Sequence, residues 1–406
     1  MLLAMTNAGG LVNTRSSDDW LSRDRCIRIA VVCGLVSVAI LAFLYSSARG
    51  TLDWQGRPLG TDFSQVWTAG RMVLDGRAAD VWNWDAHFAV QKQFHGPALR
   101  ELYGWHYPPP FLLVAAALAT LPYLGALFVW QAATLLPFAW AMRRFTGRRE
   151  AWLFVFAAPV SLICVMHGHN GFLTALLLGG GLMLLDKRPF AAGLLLGCLV
   201  YKPQFALILP LLLLVLWNWR AIAGAAVSSL ALIVITLAIW GWPVWQAFLN
   251  SLPLTRRVVI EAGATGWEKI MSPFSAVRSW GGSVEIAYAV QGAFTLAAIA
   301  ATLWLARKAR PDLRNAAVTA AVLISTPYVL DYDFVVLLAG IAFLWRDAER
   351  HGWLPWDKSA LALVWLAPLL ARNLSALTLF PLGLLTAVLV LGLAIRRSLR
   401  ASPSRH

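Results

Sequence analysis

Twelve apolar runs of near-membrane length follow one another along this chain, and no other feature restricts its fold as strongly. They lie near 27–47, 124–142, 151–167, 171–185, 189–201, 203–218, 221–240, 284–305, 315–330, 333–346, 358–372 and 377–395. A spanning helix needs about 20 apolar residues, with a range near 17–25. Inside lipid the backbone must satisfy its own polar groups, which makes such runs helices. The expected fold class is therefore an all-α polytopic membrane protein with about 12 transmembrane helices. Several runs are short, and a short span needs local bilayer thinning or partner helices around a cavity. Only 13 % of the 406 residues are charged, against about 25 % in soluble domains.

The formal net charge is +14. The positive residues sit in short clusters between apolar runs, the pattern that orientation in a bilayer produces. The expected partner of this charge is the bilayer, and no nucleic acid. With the N-terminus inside and the runs alternating, most of the 34 Lys and Arg residues fall on the inner side. Examples are Arg15, Arg23, Arg25 and Arg28, then Arg143, Arg144, Arg148 and Arg149, and at the far end Arg396, Arg397, Arg400 and Arg405. This predicts a multi-pass protein of the cytoplasmic (inner) membrane with both ends inside. It requires that 109–122, PPFLLVAAALATLP, does not cross. That segment is expected to dip into the outer leaflet and pack on the bundle, because non-spanning backbone at that depth must be covered by protein. Residues 1–26 read as a cytoplasmic tail, and the run from Ile27 to Tyr45 is longer than a signal-peptide core. Residues 27–406 read as one membrane domain with two long outer loops, 48–123 and 241–283. The four cysteines show no disulfide framework or metal-site spacing.

The stretch Gly60–Phe111 is the longest without a membrane-length apolar run. It is too aromatic for disorder, and long ordered loops are commonly functional. Its first carboxylate, Asp62, follows an apolar span and stands beside Phe63. The other polar features outside the inner clusters share that side: His167, His169, Asn170, Lys202, Arg256, Arg257, Asp331 and Asp333. Ionisable groups at membrane depth are functional candidates, and a shared leaflet points to one outer site rather than a path through the bilayer. Each also has a plainer reading: Lys202 as a snorkelling side chain, His167 and His169 as helix-end caps, Asp331 and Asp333 as the end of a span. No metal site is expected: His167 and His169 stand at i, i+2 and do not share a helix face. Whether the protein needs a metal is left open, and no other cofactor is indicated.

The motifs TDFSQVWTAG, W-H-Y-P-P-P-F, H-G-H-N-G-F-L and Y-K-P-Q together resemble glycosyltransferase family 87. The resemblance runs from about Gly60 to Trp219, with weaker similarity at Ser272–Pro273 and TPYVLDYD. The chain departs from many members at the turn after His167, where they carry G-Q-x-N and this chain has His169 before Asn170. The resemblance implies a GT-C-like fold whose outer loops carry juxtamembrane helices. It implies a hexosyltransferase that takes a mannose-like hexose from a polyprenyl-phosphate donor. The acceptor would be a hydroxyl of a glycolipid or glycan at the outer, periplasmic face.

In such a fold the carboxylate opening the first outer loop is the catalytic base, which maps to Asp62 and makes 48–123 the catalytic loop. The departing phosphate gathers charge that preorganised cations stabilise. Lys202 and one of Arg256 or Arg257 are the expected cations, with a His of the 167–169 turn as hydrogen-bond donor. Asn170, Tyr107, Tyr328, Asp331 and Asp333 are expected against the sugar or acceptor. One carboxylate without a covalent partner implies single displacement with inversion. The alternative from another class is a transporter or flippase of lipid-linked saccharides. Such proteins tend to show inverted repeats and broken helices at the midplane, and neither is evident here.

Overall fold

The computed structural model describes residues 20–401, so most of the expected tail, including Arg15, and also Arg405 lie outside the described residues. Among those residues the chain is all-helical, with only isolated bridges such as Ile270 to Leu330. α1 (Arg23–Ser46) is capped by the Ser22 hydroxyl, which accepts from the Arg25 N–H. The first loop then holds α2 (Thr61–Leu74), a 3-10 turn over 78–82, α3 (Trp84–His95) and α4 (Pro110–Leu118). α5 (Tyr123–Thr146) follows. α6 (Ala151–Phe156) and α7 (Pro159–His167) divide one apolar run, because Pro159 has no N–H to continue it. The Trp365 indole takes up the Phe154 carbonyl at this break, 3.0 Å away. α8 (Gly171–Leu184), α9 (Pro189–Gly197), α10 (Pro203–Ala206) and α11 (Leu209–Val215) are short, and α12 (Trp219–Thr255) is long. The chain ends with α13 (Pro273–Ser279), α14 (Val284–Lys308), α15 (Pro311–Ile324), α16 (Val336–His351), α17 (Asp357–Leu366), α18 (Pro368–Thr378) and α19 (Leu382–Ala401).

The expected dozen spans does not appear as a dozen long helices. Five helices among the described residues are long and apolar enough to cross a bilayer: Arg23–Ser46, Tyr123–Thr146, Trp219–Glu261, Val284–Lys308 and Leu382–Arg400. A sixth results if α17 and α18, bent by 71°, form one broken span. The remaining runs are helical but interrupted. α8 has 14 residues, a rise of about 21 Å, short of a hydrocarbon core of about 30 Å. The expected loop 241–283 carries helix from its start, because α12 continues to Thr255 and then through a π turn over Arg256–Glu261. It kinks at Gly241, whose φ of 72° and ψ of −178° suit glycine alone. α4 has nine residues, is too short to cross, and packs on α2 with the Ala115 carbonyl against Gly70.

Small residues set the closest helix contacts. A Cβ on Gly193 would stand 2.0 Å from the Ala221 carbonyl oxygen, and one on Gly197 2.2 Å from that of Ala225. This G-x-x-x-G spacing lets α9 and α12 touch backbone to backbone, the usual basis of association in lipid. α15 is the innermost helix: every residue from Asp312 to Ile324 is buried. It packs against α14, α16 and α19. Its polar groups are therefore paired inside the protein, as where Asn315 donates to the Leu182 carbonyl at 3.0 Å.

Candidate active site

Two glycines in the left-handed region bring the first half of the site together. Gly60 (φ 71°) precedes α2 and Gly168 (φ 60°) ends α7. A Cβ on Gly168 would lie 2.7 Å from the Phe63 Cβ and 3.4 Å from the Gly60 Cα. Only residues without a side chain allow the two helix ends to meet. The Tyr123 hydroxyl holds the Leu59 carbonyl at 2.7 Å, and the Trp130 indole holds the Gly168 carbonyl at 3.0 Å. His167 then sits against the first turn of α2. Its Nδ1 is 2.5 Å from Thr61 Oγ1 and 3.4 Å from Asp62 Oδ2. Asp62 Oδ1 accepts from Gln65 Nε2 at 3.3 Å. The Asp62 and His167 side chains keep 17 % and 22 % of their surface exposed.

The second half is buried and joins distant segments. Lys202 Nζ donates to Asp333 Oδ1 at 2.6 Å and to Asn170 Oδ1 at 3.0 Å, and lies 4.9 Å from the centre of the Phe205 ring. Only 4 % of the Lys202 side chain and 3 % of that of Asp333 is exposed. Tyr332, between the two aspartates, stacks on His169 with ring centres 3.6 Å apart. The Tyr107 hydroxyl is 3.3 Å from His169 Nε2. Asp331 and Asp333 turn one oxygen each to backbone N–H groups, of Tyr332 at 2.8 Å and Leu330 at 3.0 Å. A short antiparallel contact fixes this turn: the Asp331 N–H donates to the Lys269 carbonyl and the Met271 N–H to that of Val329. Among the described residues no three His, Cys, Asp or Glu side chains converge closely enough to chelate a metal ion.

The electrostatics follow from this packing. Asp62, Asp331 and Asp333 share one region, and among the described residues the Lys or Arg in direct contact with them is Lys202, through Asp333. Burial pushes the Asp62 carboxyl up to about 7, and the nearby Asp331 charge adds to this while Lys269 opposes it. The helix N-terminus favours an ionised carboxylate, but burial outweighs it here. Asp331 is raised to about 6, again chiefly by burial, with Arg372 as the largest opposing charge. A carboxyl with a proton affinity near neutrality is what base catalysis uses.

Of the residues singled out from the sequence, the structure gathers Asp62, Tyr107, His167, His169, Asn170, Lys202, Asp331 and Asp333. Tyr328 stands beside them and feels the charges of Asp62 and Asp333. Arg256 and Arg257 are not gathered. Both are exposed, and Arg256 pairs with Glu261 at 3.2 Å. Their segment reaches the region through Thr255, whose hydroxyl is 3.2 Å from His106 Nδ1, and His106 lies edge-on to Tyr328. Lys202 differs in another way, because its charge is engaged by Asp333. Sequence reading passed over Lys269 and Arg372, whose charges act on both Asp331 and His167. Neither makes a hydrogen bond or ion pair through its side chain among the described residues. Arg372 had a signal, since it ends the apolar run 358–372 at the end opposite Lys358. Lys269 had none beyond its place in a charged loop.

No curated protein and no solved structure matches the chain. The family model for glycosyltransferase family 87 matches residues 105–327, more than half of the chain. The matched segment starts at Trp105, the first residue of W-H-Y-P-P-P-F, contains the 167–170 turn and Lys202, and stops just before the D-Y-D turn. Asp62 and the two partner aspartates thus flank it and are joined to it by the contacts above. With a match of this length on an all-helical chain carrying several membrane-length helices, the protein belongs to glycosyltransferase family 87 and is a membrane glycosyltransferase.

Proposed function

We propose that the protein transfers a hexose from a polyprenyl-phosphate donor to a hydroxyl of a glycolipid or glycan, at the outer face of the cytoplasmic membrane. The observation that carries this reading is Asp62: a carboxyl at the first turn of α2, partly exposed, and pushed up to about 7. Asp62 takes the proton of the acceptor hydroxyl. The acceptor oxygen attacks the anomeric carbon as the bond from that carbon to the phosphate oxygen breaks, and the electron pair leaves with the phosphate. One carboxylate and one displacement give inversion. The leaving group is polyprenyl phosphate, a monoester whose charge the cations stabilise, so no strong general acid is needed.

Lys269 and Arg372 are the cations we assign to the departing phosphate, because their side chains are unpaired among the described residues while the charges of both reach Asp331 and His167 and that of Lys269 also reaches Asp62. Lys202 is instead a positioning residue that holds Asn170 and Asp333 in place. The membership in a glycosyltransferase family speaks against a transporter or flippase. The test is transfer by purified enzyme with a panel of polyprenyl-phosphate hexoses. Asp62→Asn should lower turnover by roughly 10²–10⁴-fold, the usual contribution of a positioned base. Near-normal turnover in that variant sinks the assignment, and no transfer from any polyprenyl-phosphate sugar sinks the donor class.

A further inference from the structure

At the far end of the helices from Asp62 lies a feature that the transfer chemistry does not use. α1 stands off the bundle, touching it chiefly through α6 and α7, and only Ala30 and Ser37 along it are buried. Between α1, α6, α16 and α17 this leaves a crevice of about 400 Å³, within the size range of ligand sites, roughly 300–1,000 Å³. Its depth is hydrocarbon: Ile27, Ile29, Phe154, Leu338, Ile341 and Leu361 line it. Its mouth is charged and aromatic. Arg148 pairs with Glu349 at 2.7 Å and lies over the Trp345 ring, and Arg23 pairs with Glu150. Tryptophan and basic side chains together mark the level of lipid head groups.

We infer that this crevice holds one phospholipid with an amine-bearing, zwitterionic head group. An acyl chain fills the apolar depth. The phosphate meets Arg148 and Arg23, and the ammonium meets Glu349 and Glu150. With Lys358, which also lines the crevice, the mouth carries three cations and two carboxylates, and the carboxylates favour a head group that brings an ammonium as well as a phosphate over a purely anionic one. The exchange of partners is easy, because the side chains of Arg148 and Arg23 are 49 % and 70 % exposed and surface ion pairs are worth only about 0–1 kcal/mol. The site lies away from the Asp62 cluster, so it is independent of the transfer reaction.

Native mass spectrometry of the full-length protein, released from nanodiscs of equal phosphatidylethanolamine and phosphatidylglycerol, tests this. The expected result is one phosphatidylethanolamine adduct per chain that survives detergent exchange. Ala362→Trp, which fills the crevice from α17, should lose that adduct while the protein stays monodisperse and active. Arg148→Ala, a surface change that leaves the apolar depth intact, should at least halve its occupancy. No retained adduct, or retention of phosphatidylglycerol alone, overturns the inference. So does an adduct unaffected by either substitution. A retained lipid that appears only after deletion of residues 2–19 shows the crevice to be filled by the chain's own N-terminal segment and likewise overturns it.

Discussion

The two ends of α15 and α16 each gather three buried or largely buried aspartates, and the two groups behave oppositely. At one end Asp312, Asp347 and Asp357 are 5 %, 0 % and 2 % exposed, and each is met by arginine. Arg346 grips Asp312 with both nitrogens, Arg310 does the same for Asp347 at 2.6 and 2.9 Å, and Arg397 bridges Asp347 and Asp357. At the other end no arginine meets Asp62, Asp331 or Asp333 among the described residues: Lys202 holds Asp333, and His167 and Gln65 stand against Asp62. Burial disfavours a charge at either end. At Asp347 burial is outweighed by hydrogen bonds from Arg310 and Arg397, and the carboxyl is held below its usual range. At Asp62 nothing outweighs it, and the carboxyl rises to about 7. Bidentate arginine supplies both charge and fixed geometry. The comparison separates a carboxylate that fastens helices from one that keeps an affinity for a proton.

The largest expected effects come from breaking one group at a time. Asp62→Asn should cost the transferase most of its turnover yet raise its stability by roughly 0.5–2 kcal/mol, the range of a typical stabilising substitution. Asp347→Asn should do the reverse. It leaves Arg310 and Arg397 short of a counter-charge and should destabilise by about 3–5 kcal/mol, with specific activity of the surviving folded fraction near normal. Thermal unfolding in detergent, with transfer measured on the same samples, reads both. If Asp62→Asn destabilises as much as Asp347→Asn, the two ends are alike and the contrast is lost.

Lys202 sharpens the comparison, because among the described residues it is the cation that clasps an aspartate at the Asp62 end. Lys202→Met strands Asp333 in the interior and should cost a similar 3–5 kcal/mol. Adding Asp333→Leu should recover most of the stability. Recovered stability with activity still lost marks Asn170 and Asp333 as the groups that Lys202 positions. Recovered activity removes Lys202 and Asp333 from the site.

A smaller effect is the pH dependence. Asp62 and Asp331 bind protons more tightly in the folded protein than their ordinary value of 3.8. The folded state thus carries more protons, and stability falls as pH rises from about 4 to about 7. Asp347 is lowered, so its contribution is present at neutral pH and lost only as pH falls through its lowered value. Melting temperature should therefore decline between pH 5 and 8, and Asp62→Asn should flatten that decline. Turnover should rise over the same interval as Asp62 loses its proton. A wild-type melting temperature flat across it contradicts the raised carboxyls. The smallest effect is expected at Arg256→Ala, since an exposed ion pair is worth about 0–1 kcal/mol. A hundredfold loss of transfer there would place the π turn in the site after all.

The membrane class was legible in the apolar runs, because the period of a helix and the thickness of lipid are local constraints on composition. That these polar groups come together was legible as well. The 167–170 turn, Lys202 and the D-Y-D turn lie at ends of apolar runs that the alternation places on one side, and Asp62 stands in the loop expected on that side. Which polar groups pair was not legible. Lys202 and Asp333 are 131 residues apart, and nothing in either local pattern names the other. The same holds for Arg397, which reads as a terminal topology charge and is instead 4 % exposed between Asp347 and Asp357. Helix lengths escaped for a related reason. A break such as that at Pro159, or a continuation through Gly241, depends on whether a neighbour takes up the freed backbone groups. Composition and spacing thus determined that the chain lives in a membrane and gathers its ionisable groups at helix ends. Tertiary packing alone decided which carboxylate is left without a counter-charge, because burial and pairing are properties of the neighbours that packing supplies.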